Sequence, residues 1–224
     1  AISEKKIAYE KLGRNTIEVD RQRWEKEPQN KQFGLSYISV LSDNGEYTTI
    51  IDICSDLLIY NSSDKDILLQ LSKAYENLGK IDESIRTLKD IYMNDSRDSQ
   101  IPVDISTLFL SKETYELALE WADKAVKIDT KSGSAYAHRA SVYEAIVLGC
   151  LDGKEFMNKV VYEMAWEDYS KAYDLGFKSV RAQKNNLEEF ITTKSDWFMR
   201  PEGEMLISPK GECYNFINRK VKRK

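Results

Sequence analysis

The 224-residue sequence has a single histidine, His138, and no two cysteines in a Cys-x-x-Cys spacing. One histidine excludes a metal site built from several histidines, and the cysteine spacing excludes zinc-ribbon and thioredoxin-type centres. No glycine-rich loop that cradles a phosphate is present. We therefore predict no catalytic residues, no metal and no cofactor, and the protein is predicted not to be an enzyme. A composite site around His138 is the one catalytic alternative that stays open.

Proline, glycine and long apolar runs are also scarce. Four prolines and ten glycines leave nothing for long flexible linkers. No apolar stretch approaches the roughly 20 residues that a membrane-spanning helix needs. The net charge of −4 is too small to indicate a protein that binds nucleic acid over its whole surface.

The three cysteines, Cys54, Cys150 and Cys213, are an odd number at wide spacing. This usage favours a reducing compartment, because secreted domains commonly carry paired cysteines. A cytoplasmic location is therefore slightly favoured. An exported form stays open, since the numbering starts at Ala1 rather than at Met and a leader can have been removed.

What the sequence does contain is an internal repeat. Gly45 and Gly79 lie 34 residues apart (79 − 45), and the same pattern of spaced apolar residues follows each of them. Steps of three and four within each unit place these residues on one face of a helix. The equivalent positions are Tyr47, Ile81 and Tyr115; Ile50, Ser84 and Ala118; Cys54, Leu88 and Ala122; Leu57, Ile91 and Ala125; Tyr37, Leu71 and Ile105; and Leu41, Tyr75 and Phe109.

The segment 74–85, Ala-Tyr-Glu-Asn-Leu-Gly-Lys-Ile-Asp-Glu-Ser-Ile, resembles the middle of the tetratricopeptide repeat (TPR), a helix–turn–helix unit of about 34 residues. The resemblance implies an all-α fold, a right-handed α-solenoid of about four repeats with helical caps and a small C-terminal β-hairpin. The repeats are placed at 31–64, 65–98, 99–132 and 133–177.

The fourth repeat departs from the period. Tyr162 lies 13 residues beyond its expected place at position 149, so this repeat holds a 13-residue insertion. Both of its helices read as continuous into the insertion. We predict a long helical hairpin whose first helix reaches about Leu148, whose second runs from near Lys154 to Tyr173, and whose turn is at 149–153. An irregular surface loop is the alternative.

The two ends do not continue the repeat. Residues 1–30 are predicted to form capping helices, because an open solenoid end exposes apolar surface. Residues 178–194 are predicted to form a C-terminal capping helix, with Val180, Leu187 and Phe190 facing inward.

Residues 195–224 are predicted to be an extension. Within it, 205–217 reads as a hairpin around a Pro-Lys-Gly turn. Its candidate anchors are Trp197, Phe198 and Phe216. The run from Arg219 to Lys224 carries five positive charges and is expected to be a solvated, disordered basic tail.

In TPR proteins the stacked first helices line a concave groove that binds peptides or helices, and the resemblance carries that role to residues opposite the packing face. Members that bind chaperones clamp a carboxylate with Lys, Arg and Asn, of which only Lys73 and Asn77 are present here. The resemblance thus implies a protein or peptide partner without a chaperone carboxylate clamp. The groove positions are Gln32, Leu35, Ser39, Asp66, Leu69, Lys73, Glu76, Asn77, Gln100, Val103, Thr107, His138, Ser141 and Glu144.

The leading hypothesis is a non-catalytic scaffold or adaptor that holds a protein partner in this groove. A first alternative is binding of nucleic acid or an acidic partner through the basic tail. A second alternative is a self-associating structural protein, a homodimer in which residues 197–217 dock in the groove of another copy.

Overall fold

The computed structural model describes residues 4, 7–9, 16–150, 155–198, 200 and 205–223. The chain divides into two compact units, Ala1–Asp95 (unit 1) and Ser96–Lys224 (unit 2). No helix among the described residues is long and apolar enough to cross a membrane. The helices of unit 1 are α1 (Ile17–Lys26), α2 (Lys31–Asp43), α3 (Tyr47–Tyr60), α4 (Lys65–Asn77) and α5 (Ile81–Asn94).

Unit 2 is also mainly helical, and each of its long helices packs against the next. Its first and third helices contact each other as well. The elements of unit 2 are α6 (Gln100–Ser111), α7 (Tyr115–Ile128), α8 (Gly133–Gly149), α9 (Glu155–Asp174), a 3₁₀ turn (Lys178–Val180), α10 (Arg181–Leu187), α11 (Lys194–Phe198), β1 (Leu206–Ile207) and β2 (Val221–Lys222).

Several first helices of the pairs begin at a side-chain cap. Asn30 accepts a hydrogen bond from the backbone N–H of Phe33 at the start of α2, and Asp64 does so for α4. Ser132 accepts from the N–H of Ala135 at the start of α8. Each cap satisfies a backbone donor that has no partner within the helix, which contributes about 1 kcal/mol.

The residues that recur every 34 positions form the helix–helix interfaces. Cys54, Leu88 and Ala122 are buried, and so are Leu57, Ile91 and Ala125. The core of unit 1 includes Trp24 of α1, which packs with residues of α2, α3 and α4. The sequence prediction of the packing face is confirmed at these positions.

The turn between the two helices of a pair has the same geometry in successive repeats. Gly45 and Gly79 have φ of 75° and 71°, a left-handed conformation in which glycine has no steric penalty. The next residue then donates its N–H back to the helix, as Lys80 does to the Tyr75 carbonyl at 2.9 Å. Glu113, 34 residues after Gly79, adopts φ of 54° without being a glycine.

A buried polar contact also recurs at this spacing. The Oγ atoms of Ser72 and Ser84 lie 3.1 Å apart between α4 and α5. In the next repeat, Ser106 is equivalent to Ser72, and Ala118 is equivalent to Ser84. There the Ser106 hydroxyl donates to the Ala118 backbone carbonyl at 2.7 Å. Each buried hydroxyl therefore has a partner inside its own helix pair.

Helices α8 and α9 form the lengthened fourth pair. With 17 and 20 residues they exceed the 12 to 14 residues of α2 to α7. The predicted helix ends are confirmed to within a residue, while 151–154 of the predicted turn lie outside the described residues. Gly149 is the last residue of α8, and a Cβ there would collide with the Tyr115 ring. Glycine at this position therefore lets the end of α8 lie close to the Tyr115 ring of α7.

The C-terminal sheet differs from the prediction in its register. A small antiparallel pair is present, but Leu206 and Ile207 pair with Lys222 and Val221, not with residues 212–217. Residues 212–216 form turns. The prediction missed this because the segment depends on a long-range link, the bond of Cys213 to Cys150 at the end of α8.

Two side-chain assignments at this end need correction. Phe190, expected to face inward, is 52 % exposed, whereas Val180 and Leu187 are buried as predicted. Of the candidate anchors, Trp197 is 1 % exposed as expected, whereas Phe198 is 82 % exposed, so the prediction is wrong for Phe198. Trp197 is the buried anchor of this segment, and its indole N–H donates to Thr192 Oγ1 at 2.8 Å.

The disulfide between Cys150 and Cys213 ties the C-terminal segment to the end of α8. The Cα atoms are 5.7 Å apart and the bond closes a span of 63 residues, while Cys54 stays a buried free thiol. Disulfides persist in oxidising environments, whereas the cysteine spacing favours a reducing compartment, so the compartment stays a prediction.

Arg219 ties the same segment to α9, so the expectation of a solvated, disordered tail is wrong for residues 219–223. Its guanidinium donates to Asp168 at 2.8 Å and to Glu167 at 2.7 Å. The Arg223 guanidinium donates to the Trp197 carbonyl at 2.9 Å. Val221, between them, is fully buried.

Arg139 occupies a position where the repeat pattern expects an apolar residue, and its partners explain why. Its guanidinium forms two hydrogen bonds with Asp168, at 2.7 and 2.9 Å, and one with Asp123 at 2.8 Å. Asp168 is only 1 % exposed and also receives Arg219. Because each buried charge has an opposite partner, the network ties α7, α8, α9 and the C-terminal segment together.

Candidate peptide-binding groove

The candidate site lies on the faces of α2 and α4 that point away from the core of unit 1. On α2, Tyr37, Ile38 and Leu41 are buried, so the residues on the opposite stripe are left at the surface. Side chains from this stripe and from α4 line a pocket of about 370 Å³. They are Leu35, Ser39, Ser42, Asp43, Asp66 and Gln70.

A three-residue ion cluster joins the two helices at one end of this pocket. Lys31 Nζ of α2 lies 2.7 Å from Asp64 and 2.8 Å from Asp66. These two hydrogen bonds raise the pKa of Lys31. Burial alone would raise the pKa of Asp64, but the bonds from Lys31 and from the Ile67 N–H outweigh it and lower that pKa. The Asp66 carboxylate that lines the pocket is therefore already paired with Lys31.

The other polar side chains of the pocket are not engaged. Asp43, Ser39, Ser42 and Gln70 make no side-chain hydrogen bond or ion pair with any residue that the structure describes. Leu35 is half-buried and packs on the core of unit 1, which gives the pocket one apolar wall. The pocket thus offers a carboxylate, two hydroxyls and an amide to a ligand.

Farther along α4, the predicted groove residues Lys73, Glu76 and Asn77 are exposed and Leu69 is half-buried. Asn77 donates its side-chain N–H to the Lys73 carbonyl at 2.8 Å, within its own helix. On α2, Gln32 is exposed as well. Of the two clamp-type residues, Lys73 therefore has no side-chain partner among the described residues, whereas the Asn77 side-chain N–H is used within its own helix.

In unit 2 the predicted groove residue His138 is bonded inside the protein. Its Nε2 lies 2.8 Å from the Oγ of Ser106. Because Ser106 donates its hydrogen to the Ala118 carbonyl, Nε2 must carry the ring proton and donate to Ser106. Burial lowers the pKa of His138 to about 4. The ring is therefore neutral near pH 7 and links α8 to α6.

The other unit 2 positions are likewise occupied locally. Gln100 donates to Asp104, Thr107 to the Val103 carbonyl and Ser141 to the His138 carbonyl. Val103 packs on a small apolar cluster around Ala125. Glu144 is half-buried; burial raises its pKa, and a hydrogen bond from Tyr169 partly offsets this. The structure therefore brings together the unit 1 positions around an open pocket and uses the unit 2 positions internally.

Sequence reasoning missed Ser42, Asp43 and Gln70. The signal was available, because Ser42 and Asp43 follow Ser39 by three and four residues, and Gln70 follows Asp66 by four. Continuing the predicted stripe by one more turn on α2, and widening it by one residue beside Leu69 on α4, would have found them. No group of three or more His, Cys, Asp or Glu side chains in the described part of the chain is arranged to hold a metal ion.

Comparison with known proteins identifies the fold. No protein-family model matches the sequence, and no curated protein matches it. A crystal structure of MamA superposes with a TM-score of 0.60 at 15 % identity, covering 78 % of this chain and 95 % of that one. MamA from Desulfovibrio magneticus RS-1 gives 0.61 at 11 % identity, covering 79 % and 94 %.

A third structure is named for the repeat itself. TTC0263, a thermophilic TPR protein of Thermus thermophilus, superposes with a TM-score of 0.55 at 14 % identity, covering 82 % of this chain and 95 % of that one. This chain has a TPR-type fold. The all-α assignment and the small C-terminal sheet are confirmed, and at these identities the likeness concerns the fold alone.

Proposed function

We propose that the protein is a non-catalytic scaffold or adaptor that holds a segment of a protein partner in the groove between α2 and α4. The observation that supports this most strongly is the pocket of about 370 Å³ whose polar side chains, apart from Asp66, have no partner in the described chain. Small concave sites with a few convergent polar groups are typical binding sites.

The non-catalytic part of the proposal is supported by the state of His138. This residue is the sequence's one histidine, and it donates to a buried serine in an internal contact. A ring held in this way stabilises α8 against α6 and is not presented to a substrate.

The proposal is tested by exchanging two charges in the groove of the full-length protein. The double variant Lys73→Glu with Glu76→Lys keeps the net charge and alters only exposed groups of α4. The matched control is Arg86→Glu with Asp90→Lys, an equivalent exchange of exposed groups on the second helix of the same pair.

Affinity capture from the source cells, quantified by mass spectrometry, should recover a partner with wild type and control and about tenfold less with the groove variant. A tenfold loss corresponds to about 1.4 kcal/mol. Equal recovery of every captured protein by the two double variants would refute groove binding.

The first alternative, binding through the basic tail, is weakened by the internal bonds of Arg219 and Arg223. Within the described part of the tail, Lys220 and Lys222 remain exposed to a polyanion. The second alternative, self-association, is favoured by the exposure of Phe198, Met205 and Leu206. Sedimentation of the wild type and a Phe198→Ser variant decides it, because a monomeric wild type excludes this role.

A further inference from the structure

The side chains of the groove carry an excess of negative charge. The pocket, the ion cluster next to it and the exposed groove positions of α4 together contain two lysines, Lys31 and Lys73, and four carboxylates. The Lys31 ammonium is already paired with two of these carboxylates. The carboxylates are those of Asp43, Asp64, Asp66 and Glu76.

Asp43 is the group whose charge is most available. It lines the pocket, its side chain is exposed, and it makes no ion pair with any described residue. No cationic side chain lines the pocket. An ammonium or guanidinium group can therefore pair with Asp43 without breaking an existing ion pair of a described residue.

The wall of the pocket fits the remainder of such a side chain. Leu35 offers an apolar surface that a lysine or arginine stem can cover while its charged end stays near water. Ser39, Ser42 and Gln70 stand around it with unused side-chain donors and acceptors, which suit the N–H and C=O groups of a peptide backbone.

We infer that the occupant of this groove is a basic peptide segment of a partner protein, with a lysine or arginine seated against Leu35 and its charge directed at Asp43. This inference rests on the proposed function and names the partner's chemistry. It also differs in sign from a carboxylate clamp, because the recognised group is a cation.

The affinity of the groove for such a peptide is expected to come from several weak contacts. A single exposed ion pair strengthens binding by about fivefold at most, so one contact cannot hold a partner. The segment must therefore combine several modest contacts along the groove. Its affinity should fall with salt, because exposed charges are screened within about 10 Å at 0.1 M ionic strength.

The test uses the full chain and a displayed library of random peptides of about twelve residues. Selection should enrich lysine and arginine over aspartate and glutamate. The strongest selected peptide is then synthesised with a fluorescent label, and its affinity is measured by anisotropy for wild type, Asp43→Lys and Asp52→Lys. Asp52→Lys is the matched control, because it makes the same change in net charge at an exposed residue of α3 outside the pocket.

Asp43→Lys should weaken binding about tenfold, and Asp52→Lys less than about twofold, since a distant exposed charge is screened. Selection of neutral or acidic peptides, no selection at all, or equal losses in the two variants would overturn this inference. The proposed function is judged separately, because capture that is sensitive to the Lys73 and Glu76 exchange supports it whatever the peptide's charge.

Discussion

The first helices of the two units come from one repeat pattern but use their outward side chains differently. In unit 1, α2 and α4 are joined at one end by Lys31 and its two aspartates, and four polar side chains of the adjoining pocket have no partner among the described residues. In unit 2, α6 and α8 are joined by the His138–Ser106 bond, and neighbouring polar groups bond within their own helices. A shared repeat therefore fixes the packing face but not the availability of the opposite face.

The units also differ in what holds them together. The described core of unit 1 is mainly aliphatic and aromatic, and its cysteine is unpaired. Unit 2 adds a buried ion network and a disulfide to its apolar core. Changes to these polar and covalent links should therefore affect unit 2 far more than matched changes affect unit 1.

The largest effect is expected from Asp168→Ala. This change removes the carboxylate between Arg139 and Arg219 and leaves both guanidinium groups with reduced pairing in a mostly buried site. Loss of one partner of a buried pair typically costs about 3–5 kcal/mol of unfolding free energy.

Urea unfolding measured by circular dichroism checks this value. Asp52→Ala in unit 1, an exposed position on α3, should change stability by less than about 0.5 kcal/mol. If the two variants unfold at the same urea concentration, the network does not stabilise unit 2.

Removal of the Cys150–Cys213 bond should have the next largest effect. The bond closes a span of 63 residues, and a cross-link of this kind typically contributes about 2–4 kcal/mol. Adding a reductant should therefore lower the urea midpoint of the wild type. The double variant Cys150→Ser with Cys213→Ser should start at the lower midpoint and not respond to reductant. A wild type that is insensitive to reductant would mean that the thiols are unpaired in solution.

The His138 contact predicts a pH dependence specific to unit 2. The folded pKa of about 4 lies below the ordinary value of about 6.5, so the unfolded state takes up the proton first as pH falls. Its stabilising effect is thus complete above about pH 6.5 and is lost as pH falls toward 4. Between pH 7 and 5.5 the wild type should lose roughly 1 kcal/mol more than His138→Gln. Parallel losses in the two proteins would show that His138 does not titrate in this way.

The smallest effect is expected at the turns, and its sign is opposite in the two units. Glu113→Gly in unit 2 should raise stability by about 0.5–1 kcal/mol, because φ of 54° is strained for a residue with a Cβ. Gly79→Ala in unit 1 should lower it by about 1 kcal/mol for the same reason. Thermal unfolding of the two variants checks the pair, and a shift of the same sign in both would contradict the equivalence of the turns.

Much of the fold follows from short-range pattern. The 34-residue spacing identifies Leu57, Ile91 and Ala125 as core residues, and the lengthened fourth pair follows from the displaced Tyr162. These predictions hold because helix periodicity is a local property. The repeat boundaries themselves stay predictions.

The candidate site and the C-terminal segment were harder to predict, because they depend on long-range partners. Leu35, Ser39 and Asp66 were found from the helical stripe, yet nothing local indicates that Asp43 is unpaired. Likewise, the bond of Cys213 to Cys150 and that of Arg219 to Asp168 join residues more than 50 positions apart. Only the folded chain shows which polar groups are already taken.

The interior contact shared by successive repeats has a consequence for how such a chain can diversify. At one pair of equivalent interior positions, the repeat of α4 and α5 has Ser72 and Ser84. The next repeat has Ser106 and the Ala118 backbone carbonyl there. The repeat before has the buried Ile38 and Ile50. The serine contact between α4 and α5 lies within one helix pair, so a substitution there needs compensation only from its own partner, whereas Ser106 also accepts from His138 of the next pair. Inheritance can therefore vary the interior chemistry one repeat at a time where the contact stays within its pair, and must change two repeats together where it does not.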